Sequence, residues 1–505
     1  MNNTQTGSLL SRLVLSFLLF AAPLPSAWSL DTELPENIGS PDVTDLPDLG
    51  NSAGALITPK RERDLGKAFM RSVRRSEKVM EDPLLTDYVQ SLGQKLVNNS
   101  SAKGTPFSFF LIDDPQINAF AGPGGYIGIY TGLLLTTETE SELAAVLAHE
   151  IAHVTQQHLL RAWESTSQMS IPSAAILLAA IVLGATVGGD AAAAAAVGGQ
   201  AALIQKQINF TRANEQEADR VGIDILAESG YEPRAMPSFF SRMGKANRVY
   251  ASKLPEFLMT HPVTTNRTAD ALGRAEQYSY KQTADDLRYH LARITLQQQA
   301  MPTPQEAIQE FESMLKDGRY RSEAAVHYGI ALAHLRAKQF DDAAAALDEL
   351  MRSHPNTIEF IVSRSEVDAR RGKGADALRR LSAAIDKHPG SYALNIAYAE
   401  TALAQGQPAN ASQKLQGFLD FRDEEPRVYQ LLARAAGDQD KQALGHQYLS
   451  EYYYWIGDLE SAILQLEIAL KRPELNFYES SKLESRLAEL RAEQDEEDRK
   501  RSATP

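Results

Sequence analysis

The sequence predicts an α+β protein that is mostly α: a helical domain with a small β-sheet, followed by an α-solenoid of short repeats. Three observations predict it. Apolar residues recur at helical spacing from Pro59 to Val97 and again from Glu142 to His158. One stretch between them, Phe107 to Tyr130, changes to the aromatic and β-branched composition of strands. From about residue 303 the chain is helical throughout, and His354-Pro355 and His388-Pro389 fall 34 residues apart, each closing a matching apolar register.

The 505 residues are 43% hydrophobic and 23% charged, ordinary globular values that allow two or three cores. Arg12, the apolar run Leu13 to Leu24 and the small or polar Ser26-Ala27-Trp28-Ser29 read as an export signal, residues 1–29, cleaved near Ser29; an uncleaved anchor helix is the alternative. There are no cysteines, which excludes a disulfide framework and a lipidated N-terminal cysteine. The formal charge is −14, and −15 once the single arginine of residues 1–29 is gone, a balance that argues against nucleic acid as a partner and against a strongly anionic membrane surface.

Residues 30–58 are acidic and rich in Pro and Gly, the composition of a flexible lead-in. Two helices follow, broken at Asp82-Pro83, with Arg71, Arg74 and Arg75 expected on a solvated face. Phe107–Asp113 and Tyr126–Tyr130 are expected as two strands of one antiparallel sheet, turned by Pro123-Gly124-Gly125. Such a sheet is either a structural hairpin or an edge that accepts an extended polypeptide as an added strand. Thr139 and Glu142 form a capping-box pattern ahead of the next helix. Residues 171–208, apolar and then alanine-rich with Gly188-Gly189-Asp190 between, are expected as two close-packed helices and as a candidate peripheral membrane contact.

The chemistry begins at His149-Glu150-Ile151-Ala152-His153, an H-E-x-x-H pattern. At about 100° per residue, positions i and i+4 share a helix face, so both imidazoles can reach one Zn²⁺ while Glu150 lies beside them as a general base. Two surface histidines on an ordinary helix are the plain alternative. A catalytic zinc needs a third protein ligand, and Glu215 is the best candidate; Asp219, four residues on and on the same face, would orient a ligand histidine or exchange a proton. Glu217 points elsewhere, and a merely solvated charged helix is the competing reading. His261, in the loop H-P-V-T-T-N-R ending at Arg267, is either a fourth ligand that holds the site latent or a loop-packing or substrate-side histidine.

H-E-x-x-H followed some sixty residues later by T-R-x-x-E-x-x-A-D, with Asn118 to Tyr126, Gly132-Leu133-Leu134 and His261-Pro262 to Arg267, resembles the M48 class of zinc metallopeptidases over about residues 59–275. The resemblance implies a zincin-like metallopeptidase domain, one Zn²⁺ per chain on His149, His153 and Glu215, Glu150 as general base, and Asp219 as the proton-donating or orienting acid. With the export signal ahead and repeats behind, it implies a periplasmic endopeptidase. Its implied partners are unfolded or misassembled outer-membrane proteins and the β-barrel assembly machinery. The rival class is a non-proteolytic chaperone or scaffold with a structural or latent zinc site.

The organisation expected is therefore a peptidase domain at 59–300, a repeat domain at 303–490 and a charged tail at 491–505. Thirty-four residues is the tetratricopeptide period, in which each helical hairpin buries its apolar face only by stacking on neighbours. Pro426 and Pro473 extend the series more loosely, giving about four repeats. Tyr452 to Trp455 are expected to pack within the array.

Overall fold

The computed structural model describes residues 58–159, 161, 171–182, 212–249, 256–281 and 283–502. The expected export signal, nearly all of the lead-in and the alanine-rich half of 171–208 lie outside these. The first part comprises helices α1 (Pro59–Ser76) and α2 (Pro83–Val97), strands β1 (Ser108–Ile112), β2 (Ala119–Ala121) and β3 (Tyr126–Tyr130), and helices α3 (Thr131–Thr136), α4 (Glu140–Thr155), α5 (Ile171–Val182), α6 (Arg212–Glu228), α7 (Ala235–Val249), α8 (Glu256–Thr260), α9 (Thr265–Ala275) and α10 (Leu287–Ala300). The break expected at Asp82-Pro83 is a helix start: the Asp82 carboxylate accepts from the Leu84 and Leu85 amides, and Pro83 opens α2, where its missing N–H costs nothing.

The sheet corrects the expected antiparallel pair. Its order is β1-β3-β2, with Ser108 to Ile112 parallel to Tyr126 to Tyr130, while Ala119 to Ala121 runs antiparallel on the other side of β3. The connection from β1 to β3 contains β2, and that third strand takes the antiparallel place. Side chains alternate between two buried faces. Phe109, Leu111, Ile127 and Ile129 join the core of α2, α4 and α6; Phe110, Ile112, Tyr126 and Tyr130 face α1 and α5. Burial on both faces explains the nearly continuous apolar run in β1. Gly128 sits under the Phe120 ring, where an added Cβ would come within 2.3 Å of it.

Helix α5 packs its alanines and Leu178 against Phe69 and Met70 of α1. Among the described residues no helix is long and apolar enough to cross a membrane. At α4 the Thr139 hydroxyl caps the Glu142 amide at 3.2 Å; the returning Glu142 carboxylate instead takes the Glu138 amide, one residue before the expected partner.

From α11 (Pro304–Asp317) the chain is a stack of helices: α12 (Glu323–Arg336) with α13 (Phe340–Ser353), α14 (Ile358–Arg370) with α15 (Gly374–Ile385), α16 (Tyr392–Ala404) with α17 (Pro408–Phe418), α18 (Pro426–Gly437) with α19 (Gln442–Trp455), and α20 (Leu459–Leu470) with the long α21 (Phe477–Ser502). Four hairpins and a fifth closed by α21 make up the array. Helix α21 runs through 491–502, the residues expected as a tail, because Glu493 and Glu497 pair with Arg71 and Arg75.

The solvated reading fails for Arg71 and Arg74, while Arg75 stays exposed beside Glu497. Arg71 is 8% exposed and donates to the Tyr454 hydroxyl at 2.7 Å, while Arg74 donates to the carbonyls of Trp455 and Glu424, both at 3.1 Å. Glu424 also accepts from the Tyr126 hydroxyl at the start of β3. Asp87 of α2 caps α16, accepting from the Tyr392 amide at 3.1 Å and the Ala393 amide at 3.0 Å. Tyr454 and Trp455 thus pack at the seam between the two parts as well as within the array.

Candidate metal centre

Helices α4 and α6 carry the site and touch where Gly222 lies against His149: an added Cβ there would meet the His149 amide nitrogen at 3.1 Å. That close approach sets His149 and His153 of α4 against Glu215 and Asp219 of α6. The loop before α9 adds His261, whose amide is held by the Phe257 carbonyl at 2.8 Å. His149, His153, Glu215 and His261 are all buried, and their donor atoms lie within 4.8 Å of one another.

The separations test whether one ion fits. His149 Nε2 is 3.0 Å from His153 Nε2, 3.4 Å from His261 Nδ1 and 3.6 Å from Glu215 Oε2. His153 Nε2 is 3.5 Å and His261 Nδ1 is 3.1 Å from Glu215 Oε1. Four donors about 2.1 Å from a tetrahedral centre are about 3.4 Å apart, so the set matches the size of a zinc-type site. Nitrogen and carboxylate donors also suit that ion.

Electrostatics agree. Burial opposes a charge on His149, yet the adjacent Asp219 and Glu215 push its pKa up to about 10. Burial, reinforced by neighbouring His149, takes His153 well below its usual value, leaving it a neutral donor. Burial would raise Glu215, but His261 and His149 outweigh it and hold the carboxylate well below its ordinary range. The acidic neighbours of His149 and the neutral His153 make this a pocket whose charge balance favours a cation.

Glu150 is 1% exposed, and burial raises its pKa against the pull of His261 and His149. Its Oε1 has no hydrogen-bond partner among the described residues, and the His261 ring stands 3.5 Å away. The Ala121 backbone, at the end of edge strand β2, lies near the same carboxylate and favours its ionised form. Asp219 Oδ1 lies 3.0 Å from His149 Nδ1. Burial would raise Asp219, but Arg267 and His149 outweigh it and keep the acid ionised.

All four suggested ligands converge, with Glu150 and Asp219 beside them. Two further residues emerge. Arg267 grips both oxygens of Asp219 at 2.7 Å and reaches Glu215 Oε2 at 2.7 Å. His158, buried, backs His153, and Glu217, which does face away from the ligand group, holds His158. The signal for Arg267 was its place in the His261 loop. His158 had only its nearness to His153.

Residues 83–275 match the model of Peptidase family M48, and residues 325–357 and 369–435 match tetratricopeptide repeat models. The chain is 35% identical over 479 residues to the beta-barrel assembly-enhancing protease of Yersinia pestis, covering 95% of this chain and 97% of that one. It is 35% identical over 365 residues to the protein of that name from Escherichia coli K12, covering 72% and 74%. It is 27% identical over 194 residues to the mitochondrial metalloendopeptidase OMA1 of Arabidopsis thaliana, covering 38% and 37%.

Proposed function

The chain belongs to peptidase family M48 and is a metallopeptidase; from that premise we propose that it is a zinc-dependent periplasmic endopeptidase. In this reading it degrades misfolded or misassembled outer-membrane proteins and assists the assembly of others alongside the β-barrel assembly machinery. The observation that carries the catalytic part is the convergence of His149, His153 and Glu215 beside a buried Glu150 whose Oε1 lacks a hydrogen-bond partner among the described residues. The relatives' names and the export signal expected from the sequence support this reading of compartment and clients.

His149, His153 and Glu215 would hold the zinc, which when bound would supply Lewis-acid chemistry and lower the pKa of water toward neutrality. The protein's own groups do the rest. Glu150, its affinity for protons raised by burial, takes the proton from the attacking water and passes it to the leaving amine. In this reading Asp219, whose Oδ1 lies 3.0 Å from His149 Nδ1, takes the orienting role of the two open from sequence. Strand β2, at the sheet edge, ends beside Glu150, so an extended polypeptide added along that edge would be led to the base.

His261 favours a second, latent state. Its ring lies against Glu215 and Glu150, so in this reading it takes the fourth ligand position, displaces water and holds the enzyme latent, which leaves room for a chaperone or scaffold role. Zinc content and cleavage of an unfolded protein, with and without chelator, test the enzyme reading. Glu150→Gln is expected to keep its zinc and lose cleavage; a variant as fast as the wild type would falsify the assignment. Photocrosslinking should capture unfolded outer-membrane β-barrel protein in preference to an unfolded soluble one, and equal capture would remove the client assignment.

A further inference from the structure

Helix α4 ends abruptly. Beyond Thr155 the residue Gln157 adopts φ 54, a left-handed conformation that costs a non-glycine residue about 1 kcal/mol or more. The turn has a consequence for His158. In a continued helix, a residue five positions after His153 would point about 140° away from it. Here His158 folds back instead: its Nδ1 lies 2.8 Å from Nδ1 of His153, and the rings meet edge to face with centroids 4.9 Å apart. The His158 side chain is 0% exposed, and its Nε2 is 3.1 Å from Oε2 of Glu217, whose side chain is 42% exposed.

We propose that His158 is a positioning residue for the metal ligand His153, steered in turn by Glu217, so that the protein holds one ligand through a Glu217–His158–His153 relay. The inference rests on His153 being a ligand. Hydrogen-bond roles then permit one arrangement. His153 must present the Nε2 lone pair to the metal, so its proton is on Nδ1 and is donated to His158. His158 must accept at Nδ1, so its own proton is on Nε2 and is donated to Glu217.

The two histidines of the motif are therefore backed differently. His149 has a buried carboxylate, Asp219, directly at its Nδ1, whereas His153 has a neutral imidazole with its carboxylate one residue further out at the surface. A carboxylate raises ligand basicity more than a neutral acceptor does. His153 is thus the weaker of the two donors, and its orientation depends on an exposed glutamate.

The test uses the full chain and measures zinc affinity by chelator competition, the visible absorption of the Co²⁺-loaded protein, and melting of the metal-free protein. His158→Phe keeps an aromatic ring without an acceptor and should weaken zinc binding about 10- to 100-fold, with a changed Co²⁺ spectrum. His158→Asn returns an acceptor near the Nδ1 position and should recover most of the affinity. Glu217→Ala, at the surface, should give a smaller loss that Glu217→Gln repairs. The relay is overturned if His158→Phe binds zinc like the wild type, or if His158→Asn is no better than His158→Phe when their metal-free melts agree. Should His158→Phe fail to fold, the Glu217 pair decides: loss repaired by Gln supports the relay, and no loss overturns it. A wild type that binds no zinc removes the metal reading itself, a result distinct from these.

Discussion

His261 Nε2 stands 3.5 Å from Glu150 Oε1, and Nδ1 of the same ring lies 3.1 Å from Glu215 Oε1. One imidazole thus bridges the proposed base and a proposed ligand. Removing it should open the site. His261→Ala is expected to raise basal cleavage of an unfolded polypeptide roughly tenfold, the effect of losing a competing contact worth about 1.4 kcal/mol. Initial rates at equal zinc content measure this, and unchanged rates would sink the latency idea.

Asp219 should govern metal retention. Asp219→Asn keeps the side-chain shape but gives up the charge that faces His149 and grips Arg267. Zinc affinity is expected to fall about 10- to 100-fold, the usual effect of losing a partner that orients a ligand histidine. Calorimetric titration of the metal-free protein checks it; wild-type affinity would remove Asp219 from the centre.

Gly222 keeps the two halves of the site together. Its Cα faces the His149 backbone so closely that Gly222→Val must push α6 away from α4, carrying Glu215 from His149 and His153. Zinc affinity should drop more than tenfold, while Gly273→Ala, on α9 with open space around it, should leave it unchanged. Equal affinity in both variants would show that the helix contact does not set the ligand spacing.

Asp368, 2% exposed, is clasped by Arg364 and Arg380 in the repeats. Burial would raise its pKa, but the two arginines outweigh it and hold it below the ordinary aspartate value. The sign follows: its stabilisation is complete above the unfolded pKa of about 3.9 and vanishes as pH falls through the lower native value. Asp368→Asn should therefore cost about 2 kcal/mol at pH 7, and the difference in denaturation midpoint should shrink below about pH 4. A gap independent of pH would mean that packing, not charge, matters there.

The ligand group was legible because two of its members are four residues apart on one helix, a local relation that spacing alone expresses. Glu215 could be put forward from its helix and His261 from its Pro-punctuated loop, but nothing local ties residue 215 or 261 to residue 149, and the M48 resemblance was needed to join Glu215 to the histidines. The sheet was misread because β2 has only three residues, too few for a period-two signal, and it decides how β1 and β3 pair. Arg71 and Arg74 were misread because their partners lie 350 to 422 residues away in sequence. His158 depends on a left-handed Gln157, which composition does not announce.

The seam formed by Arg71, Arg74, Asp87 and Tyr126 has a thermodynamic side. Asp87 of the first part caps α16 of the repeats, and Glu424 of the repeats accepts from the Tyr126 side-chain hydroxyl of the first part, so hydrogen bonds cross the seam from both sides. Neither melts without exposing half-made hydrogen bonds in its neighbour. Heat should undo the described chain in one calorimetric transition, and a peptidase cut away near residue 303 would be a crippled fragment, not a miniature of the whole.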